Sequence, residues 1–306
     1  MRTILKSSSS PATERVHPDS ADLDLCSTRE LVRRLHREDR FAVRAVGRIL
    51  PAIAQAAQAA ALCLKAGGRI IYVGAGSSGR LGVLDAAECP PTFGASRREV
   101  TAILAGGTRA VARATEGAED NAAKGKKAIR DLQVDSRDFV CGISASSSTP
   151  FVLAALREAR RRKATTALVC CNDTAKGRKA ADLVLLAETG PELIAGSTRL
   201  KAGTATKLIL NAVSTAAFVA LGRVYRGRMV NVKPSSHKLR TRAQNTIADL
   251  ANVSPSRARA LLRHAGGRVQ LAIAMHLTGL PPADARRALG THDLRRLEIL
   301  AARRRR

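Results

Sequence analysis

The chain has 306 residues, 45% of them apolar, and a formal net charge of +27. That length supports one substantial core, or one core with a small appendage, and no run reaches the roughly 18–20 uncharged apolar residues of a membrane-crossing helix. Aromatic residues make up 2% of the chain, which removes the stacking platforms that grip single-stranded nucleic acid; the charge leaves room for weak, salt-sensitive attraction to polyanions, and specific nucleic-acid recognition is not expected.

Six cysteines (Cys26, Cys63, Cys89, Cys141, Cys170 and Cys171) form no CxxC pair, and the six histidines form no HExxH. Cysteines within apolar runs read as small reduced hydrophobes. No catalytic metal is expected. Met1–Ser10 has two basic residues and no apolar stretch behind them, so a secretory signal is not predicted and a cytoplasmic location is.

Along the chain, residues 1–20 are polar and read as a loose arm. Ser27-Thr28-Arg29-Glu30 is a capping box opening a helix. A long helical stretch follows from about Phe41 to Lys65, interrupted or kinked by Pro51 and ended by Gly67-Gly68. Five short apolar runs then read as buried strands: 69–73, 101–105, 138–143, 166–171 and 182–186. Helical segments lie between them near 80–88, 119–132 and 150–163, and another spans 201–221. Continuous apolar strands alternating with helices predict an α/β fold, a parallel sheet covered on both faces. From about Ser254 the strands stop and three or four short helices follow (254–264, 267–277, 282–289 and a last one before the arginine tail). The expected organisation is an arm over 1–25, a sugar-phosphate domain over 26–250 and a small all-helical subdomain over 251–306. A helix-turn-helix is the alternative reading of that last part.

Two strand-to-helix loops carry the chemistry. The first reads Gly74-Ala75-Gly76-Ser77-Ser78-Gly79-Arg80: glycines let the backbone approach a ligand, and the hydroxyls with free N–H groups at a helix start suit a phosphate. It matches GxGxxG, but the acidic ribose partner about 20 residues on is missing, so a dinucleotide site fails in part. The second reads Ser144-Ala145-Ser146-Ser147-Ser148-Thr149-Pro150, with proline placed for a helix start. Two such loops meet at the carboxyl edge of a parallel sheet, where α/β ligands bind. No GKS or GKT follows either, which points away from nucleotide hydrolysis and towards a phosphorylated small molecule.

Two acidic positions stand out. Glu88 is placed at the end of the first helix, stopped by Pro90-Pro91; eight residues from Arg80 cover ~12 Å. A carboxylate facing a helix C-terminus favours its protonated form, which suits a general acid; pairing with an arginine is the plainer alternative. Glu116-Gly117-Ala118-Glu119-Asp120 lies at a helix start, where carboxylates cap; ionised near a sugar, one of them would also serve in proton abstraction.

The string GAGSSGRLGVLDAAECPPTFG (74–94), ATEGAED (114–120) and IAGSTRLKAGTATKLILNAVST (194–215) resemble the N-acetylmuramic acid 6-phosphate etherases, and the likeness runs from about Thr13 to Leu300. The resemblance implies a sugar-isomerase (SIS) domain with a small helical C-terminal subdomain, a homodimer, no cofactor, and cleavage of the D-lactyl ether at C3 of the sugar to give N-acetylglucosamine 6-phosphate and D-lactate. It further implies Glu88 as proton donor and Glu119 as second acid–base residue. Gly76, Ser77, Ser78, Ser144, Ser146 and Thr149 fall where such loops hold the sugar phosphate, and Lys201 is placed for positioning or charge balance. The chain departs from the family's pattern in two places. The second loop lacks the glycine and arginine of SGRTP, having Ser147 and Ser148, and Asn172-Asp173-Thr174-Ala175 replaces CNPGS-type wording. The alternatives are a non-catalytic sugar-phosphate sensor, like the related glucokinase regulatory protein, and a diverged sugar-phosphate isomerase.

Overall fold

The computed structural model describes residues 11–232, 234 and 237–304; the serine-rich opening 1–10 and the last two arginines of the tail lie outside the described residues. The chain forms two compact units. One is built from the chain up to Ala87 with Arg98–Ser214, the other from Glu88–Arg97 with Thr215 onwards.

The first unit opens with two short 3-10 turns, Ala12–Glu14 and Pro18–Ser20. The expectation of a loose arm over 1–20 is corrected for its described part. Thr13 is fully buried, and its N–H donates to Asn172 Oδ1 (3.3 Å) while Asn172 Nδ2 donates to Thr13 Oγ1 (3.0 Å). Helix α1 (Thr28–Gly47) starts where the capping box predicts, with Ser27 Oγ accepting from Glu30 N–H at 3.2 Å. Helix α2 (Leu50–Lys65) follows at a 63° bend. Of the interruption or kink expected at Pro51, the structure has the interruption. Pro51 sits in the first turn of α2, where its missing N–H costs nothing.

The sheet has strands β1 (Ile70–Gly74), β2 (Val100–Leu104), β3 (Phe139–Ile143), β4 (Thr165–Cys170) and β5 (Leu183–Leu186). All pairs are parallel and the order is β2-β1-β3-β4-β5. Gly74 pairs with Ile143 at the carboxyl ends of β1 and β3. The chain moves one way from β1 to β2 and then back across to β3, so the crevice outside a parallel sheet opens between β1 and β3. The remaining helices of this unit are α3 (Gly76–Phe93, which runs on into the second unit), α4 (Arg109–Ala112), α5 (Ala122–Asp131), α6 (Pro150–Arg161), α7 (Ala175–Arg178) and α8 (Lys201–Ala220, which likewise runs on).

Period-two alternation sends neighbouring strand residues to opposite faces. Ile71 and Val73 pack with Ile129 of α5 and with Val152 and Leu156 of α6. Tyr72, between them, reaches the other face, where its hydroxyl donates to Asp85 on α3. Helices therefore cover both faces, as the apolar strands predict. The bottom of the sheet is fastened by buried Asp138, which accepts from Arg69 N (3.0 Å), Arg69 Nη2 (2.6 Å) and Asp135 N (3.1 Å). Helix α8 is long and apolar enough to cross a membrane, but 56% of its apolar window is buried, the property of a core helix.

The second unit contains a hairpin of β6 (Val224–Tyr225) and β7 (Arg228–Met229), then α9 (His237–Ala251), α10 (Pro255–His264), α11 (Val269–Thr278), α12 (Pro282–Thr291) and α13 (Leu294–Arg304). The four last helices match the sequence expectation. The division does not fall at 250/251: Tyr225, Val230, Ala243 and Ile247 share one apolar core with Leu261, Ala272 and Ile273, so the hairpin and α9 belong with the C-terminal helices.

Candidate active site

The first serine loop is shorter than its sequence suggests. Helix α3 begins at Gly76, four residues before Arg80, so Ser77 and Ser78 stand in its first turn among N–H groups that have no intrahelical acceptor. Gly76 has φ +51°. The turn is possible because two other glycines touch: a Cβ on Gly79 would lie 2.3 Å from Leu104 Cδ1 and 2.7 Å from the carbonyl carbon of Gly74. No larger residue fits there. Arg80 Nε donates to the carbonyls of Ala110 and Val111, 3.0 Å each, tying the start of α3 to the segment after β2.

In the second loop the hydroxyls gather. Ser144 Oγ lies 2.8 Å from Thr149 Oγ1 and 3.4 Å from Ser146 Oγ, and Ser148 Oγ donates to Ser146 Oγ at 2.9 Å. Thr149 then leads into Pro150 at the start of α6. Four hydroxyls thus form a cradle beside a helix N-terminus, with no arginine among them, and neutral donors so placed can receive an anion. Since β1 and β3 are neighbours, this cradle and Ser77-Ser78 stand at adjacent carboxyl ends.

Glu119 joins the first loop. It lies in a 3-10 turn, Ala118–Asp120, and lines a cavity of about 190 Å³ with Ala75, Gly76, Arg80, Thr115 and Glu116. The cap of α5 is Asn121, whose Oδ1 accepts from Lys124 N–H at 2.8 Å, so Glu119 does not fill the capping role that its position suggested. A carboxylate beside a phosphate-type loop can take a proton from a bound sugar.

Glu88 and Lys201 have surroundings of their own. The proline pair does not stop α3: the helix runs through Pro90 and Pro91 to Phe93 and closes at Gly94, φ +62°, whose N–H donates to Pro90 O at 3.0 Å. Glu88 is therefore exposed on the helix, five residues before its end, beyond the last turn in which the dipole acts. Glu88 also belongs to the second unit.

Lys201 does not meet the serine cradle through any polar contact of its ammonium. Its Nζ donates to Glu38 Oε2 at 2.6 Å, both side chains being buried, and His17 Nε2 lies 3.1 Å from the same oxygen. This cluster lines a separate cavity of about 640 Å³ with Arg40, Arg44 and Arg48. The backbone N–H groups of Lys201 and Ala202 donate to the fully buried Glu192 at 3.0 and 2.9 Å. Burial pushes the Glu192 carboxyl up, against the pull of those N–H groups. The Lys201 ammonium thus meets the Glu38 carboxylate directly.

Several residues shape the site without a signal in the sequence. Asn172 Nδ2 donates to Ala145 O in the second loop at 2.8 Å, joining it to Thr13. Asp85, inside the string LDAAE, is buried and accepts from Tyr72, Asn211 and Ser214. An isolated aspartate in an apolar helix, one face away from a tyrosine, is the only hint. Burial holds the Cys141 and Cys171 thiols near 12, far above their ordinary range, which leaves them inert as nucleophiles.

Residues 52–160 match the model of the glucokinase regulatory protein N-terminal SIS domain. A phosphoheptose isomerase from Francisella tularensis superposes with a TM-score of 0.50 at 20% identity, over 63% of this chain and 99% of that one, a likeness of fold. Curated N-acetylmuramic acid 6-phosphate etherases from Salmonella typhi and Salmonella typhimurium are each 44% identical over 281 residues, covering 92% of this chain and 95% of theirs. At that identity and coverage, the chain belongs to the N-acetylmuramic acid 6-phosphate etherase family.

Proposed function

We propose that this enzyme cleaves the D-lactyl ether of N-acetylmuramic acid 6-phosphate, releasing D-lactate and N-acetylglucosamine 6-phosphate. The relatives at 44% identity carry that name, and one structural observation supports it most: Glu119 shares a cavity with Gly76 at the phosphate-type loop. In the open-chain sugar the C2 proton is α to the aldehyde, and Glu119 takes it. The C3–O bond then breaks, the lactate oxygen leaves with a proton, and a C2=C3 double bond forms. Water adds its hydroxyl to C3 and a proton to C2, so the net change is hydrolysis by a carbon–oxygen lyase route. Ser77, Ser78 and the hydroxyls of Ser144, Ser146 and Thr149 hold the phosphate; Glu88 supplies the leaving-group proton, a role resting on the family resemblance. Incubation with N-acetylmuramic acid 6-phosphate and assay of D-lactate tests the reading directly.

A homodimer is part of the proposal. Phe41, Val43, Leu50 and Leu62 on α1 and α2 are 45–68% exposed, apolar side chains that burial against a second copy would remove from water; light scattering at micromolar concentration reads it. The six cysteines are all free, five of them buried, which suits a reducing cytoplasm.

A sensor that binds the sugar phosphate without turning it over is the second reading, favoured by the arginine-free second loop. It predicts binding of N-acetylglucosamine 6-phosphate with no lactate release from the etherase substrate.

A further inference from the structure

Among the described residues, five non-glycine positions have positive φ: Gln133, Ser147, Lys163, Arg226 and Asn252. Gln133, Lys163 and Asn252 follow the ends of α5, α6 and α9, where a left-handed residue commonly closes a helix, and Arg226 turns the β6–β7 hairpin with Gly227. Ser147, at φ +53°, has no such reason. It lies in the middle of the hydroxyl cradle, in a conformation that favours glycine.

The neighbouring loop holds it there. Ser147 Oγ donates to Thr174 Oγ1 at 2.8 Å, and Thr174 Oγ1 donates back to Ser147 O at 3.1 Å. Thr174 Oγ1 also accepts from Gly177 N–H at 3.0 Å, capping α7. A Cβ on Gly177 would sit 3.0 Å from both Ser147 Cβ and Ser147 O, so α7 closes over the turn. Ser147 is 1% exposed, and its hydroxyl is taken up by Thr174. The loops after β3 and β4 are therefore fastened to each other through Ser147 and Thr174.

We propose that Ser147 and Thr174 are positioning residues. Their clasp, made between the loops after β3 and β4, holds a glycine-type turn without glycine and thereby sets the Ser144, Ser146, Ser148 and Thr149 hydroxyls at the spacing that receives a phosphate. The inference rests on the sugar-phosphate reading of this loop. Ser148, on the exposed side of the turn, donates to Ser146 Oγ, so phosphate recognition by this loop runs through neutral donors oriented by the clasp.

The test compares Ser147→Gly with Ser147→Ala, and Thr174→Val with Thr174→Ser, in the full chain. Inorganic phosphate affinity is measured by calorimetry, KM and kcat by lactate release, and folding by thermal melts. Ser147→Gly, free to adopt positive φ, is expected to bind phosphate within about twofold of the parent, while Ser147→Ala and Thr174→Val weaken it roughly five- to tenfold, the effect of one lost hydrogen bond, with KM rising and kcat nearly unchanged. Thr174→Ser restores the parental affinity. Equal losses in Ser147→Gly and Ser147→Ala, parental binding by Thr174→Val, or a parent that binds no phosphate would each overturn the proposal. If Thr174→Val fails to fold, the Ser147 pair still decides. A parent that releases no lactate while the phosphate series behaves as expected would remove the etherase reading and leave the clasp standing.

Discussion

The hydroxyl of Tyr72 on β1 donates to Asp85 Oδ2 on α3 at 2.7 Å, and the other carboxylate oxygen accepts from Asn211 Nδ2 (2.7 Å) and Ser214 Oγ (3.2 Å) on α8. One buried carboxylate thus links the strand before the first serine loop to the helix after it and to α8. Removing one partner of such a network leaves the others unsatisfied in a low-dielectric interior. Asp85→Ala is expected to cost about 3 kcal/mol, read as a lower urea midpoint with an unchanged slope. Tyr72→Phe, which strands one carboxylate oxygen, should cost about 1 kcal/mol.

Gly79→Ala tests the close approach that shapes the first loop. The added Cβ meets Leu104 and the Gly74 backbone, and backbone cannot yield as a side chain end can. The expected result is loss of about 2 kcal/mol or more of stability together with loss of sugar-phosphate binding, measured by melting and calorimetry. Gly107→Ala, with open space around its Cβ but positive φ, should cost only about 1 kcal/mol and spare binding.

The buried Lys201–Glu38 pair predicts an asymmetric mutational pattern. Lys201→Met leaves Glu38 buried opposite His17 alone and is expected to destabilise by about 3–5 kcal/mol, whereas Lys201→Met with Glu38→Leu should recover most of the loss, since an apolar pair of similar volume can replace a buried ion pair. Chemical denaturation of these two variants and of Glu38→Leu alone completes the cycle.

Acid sensitivity should trace to Glu158. The Arg161 guanidinium, helped by Arg130 and Arg162, holds its carboxyl well below the usual carboxylate range. A carboxyl depressed in the folded state stabilises at pH above its unfolded value of about 4.3, and that stability is lost as pH falls towards the folded value. Glu158→Gln is expected to be less stable than the parent at pH 7 and to lose less between pH 5 and pH 3. Parallel acid limbs for the two proteins would contradict it.

Much of the sheet was legible because its five strands are unbroken apolar runs, and the structure moves their ends by only a residue or so. Both serine loops were legible for the same reason: they are what stands between a strand and a helix. Helix ends read less well. Proline usually stops a helix, yet Pro90 and Pro91 lie in the last turn of α3, where their missing N–H groups release only two carbonyls and Gly94 provides the left-handed close. The placement of Glu88 turned on that reading. Long-range partners were not legible at all. Thr13 with Asn172, or Ser147 with Thr174, are separated by 159 and 27 residues, and short polar side chains give no periodic signal of which distant loop they will meet. The domain boundary failed likewise, since the hairpin and α9 join the C-terminal core through scattered residues.

The most direct test of the central claim is to incubate the parent protein and Glu119→Gln with N-acetylmuramic acid 6-phosphate in deuterated water. The parent is expected to release D-lactate and N-acetylglucosamine 6-phosphate in equal amounts, with deuterium at C2 of the sugar, and Glu119→Gln to lose roughly a hundredfold or more in rate while still binding the product. Lactate release without deuterium at C2, or a Glu119→Gln variant at the parental rate, would contradict proton abstraction by Glu119.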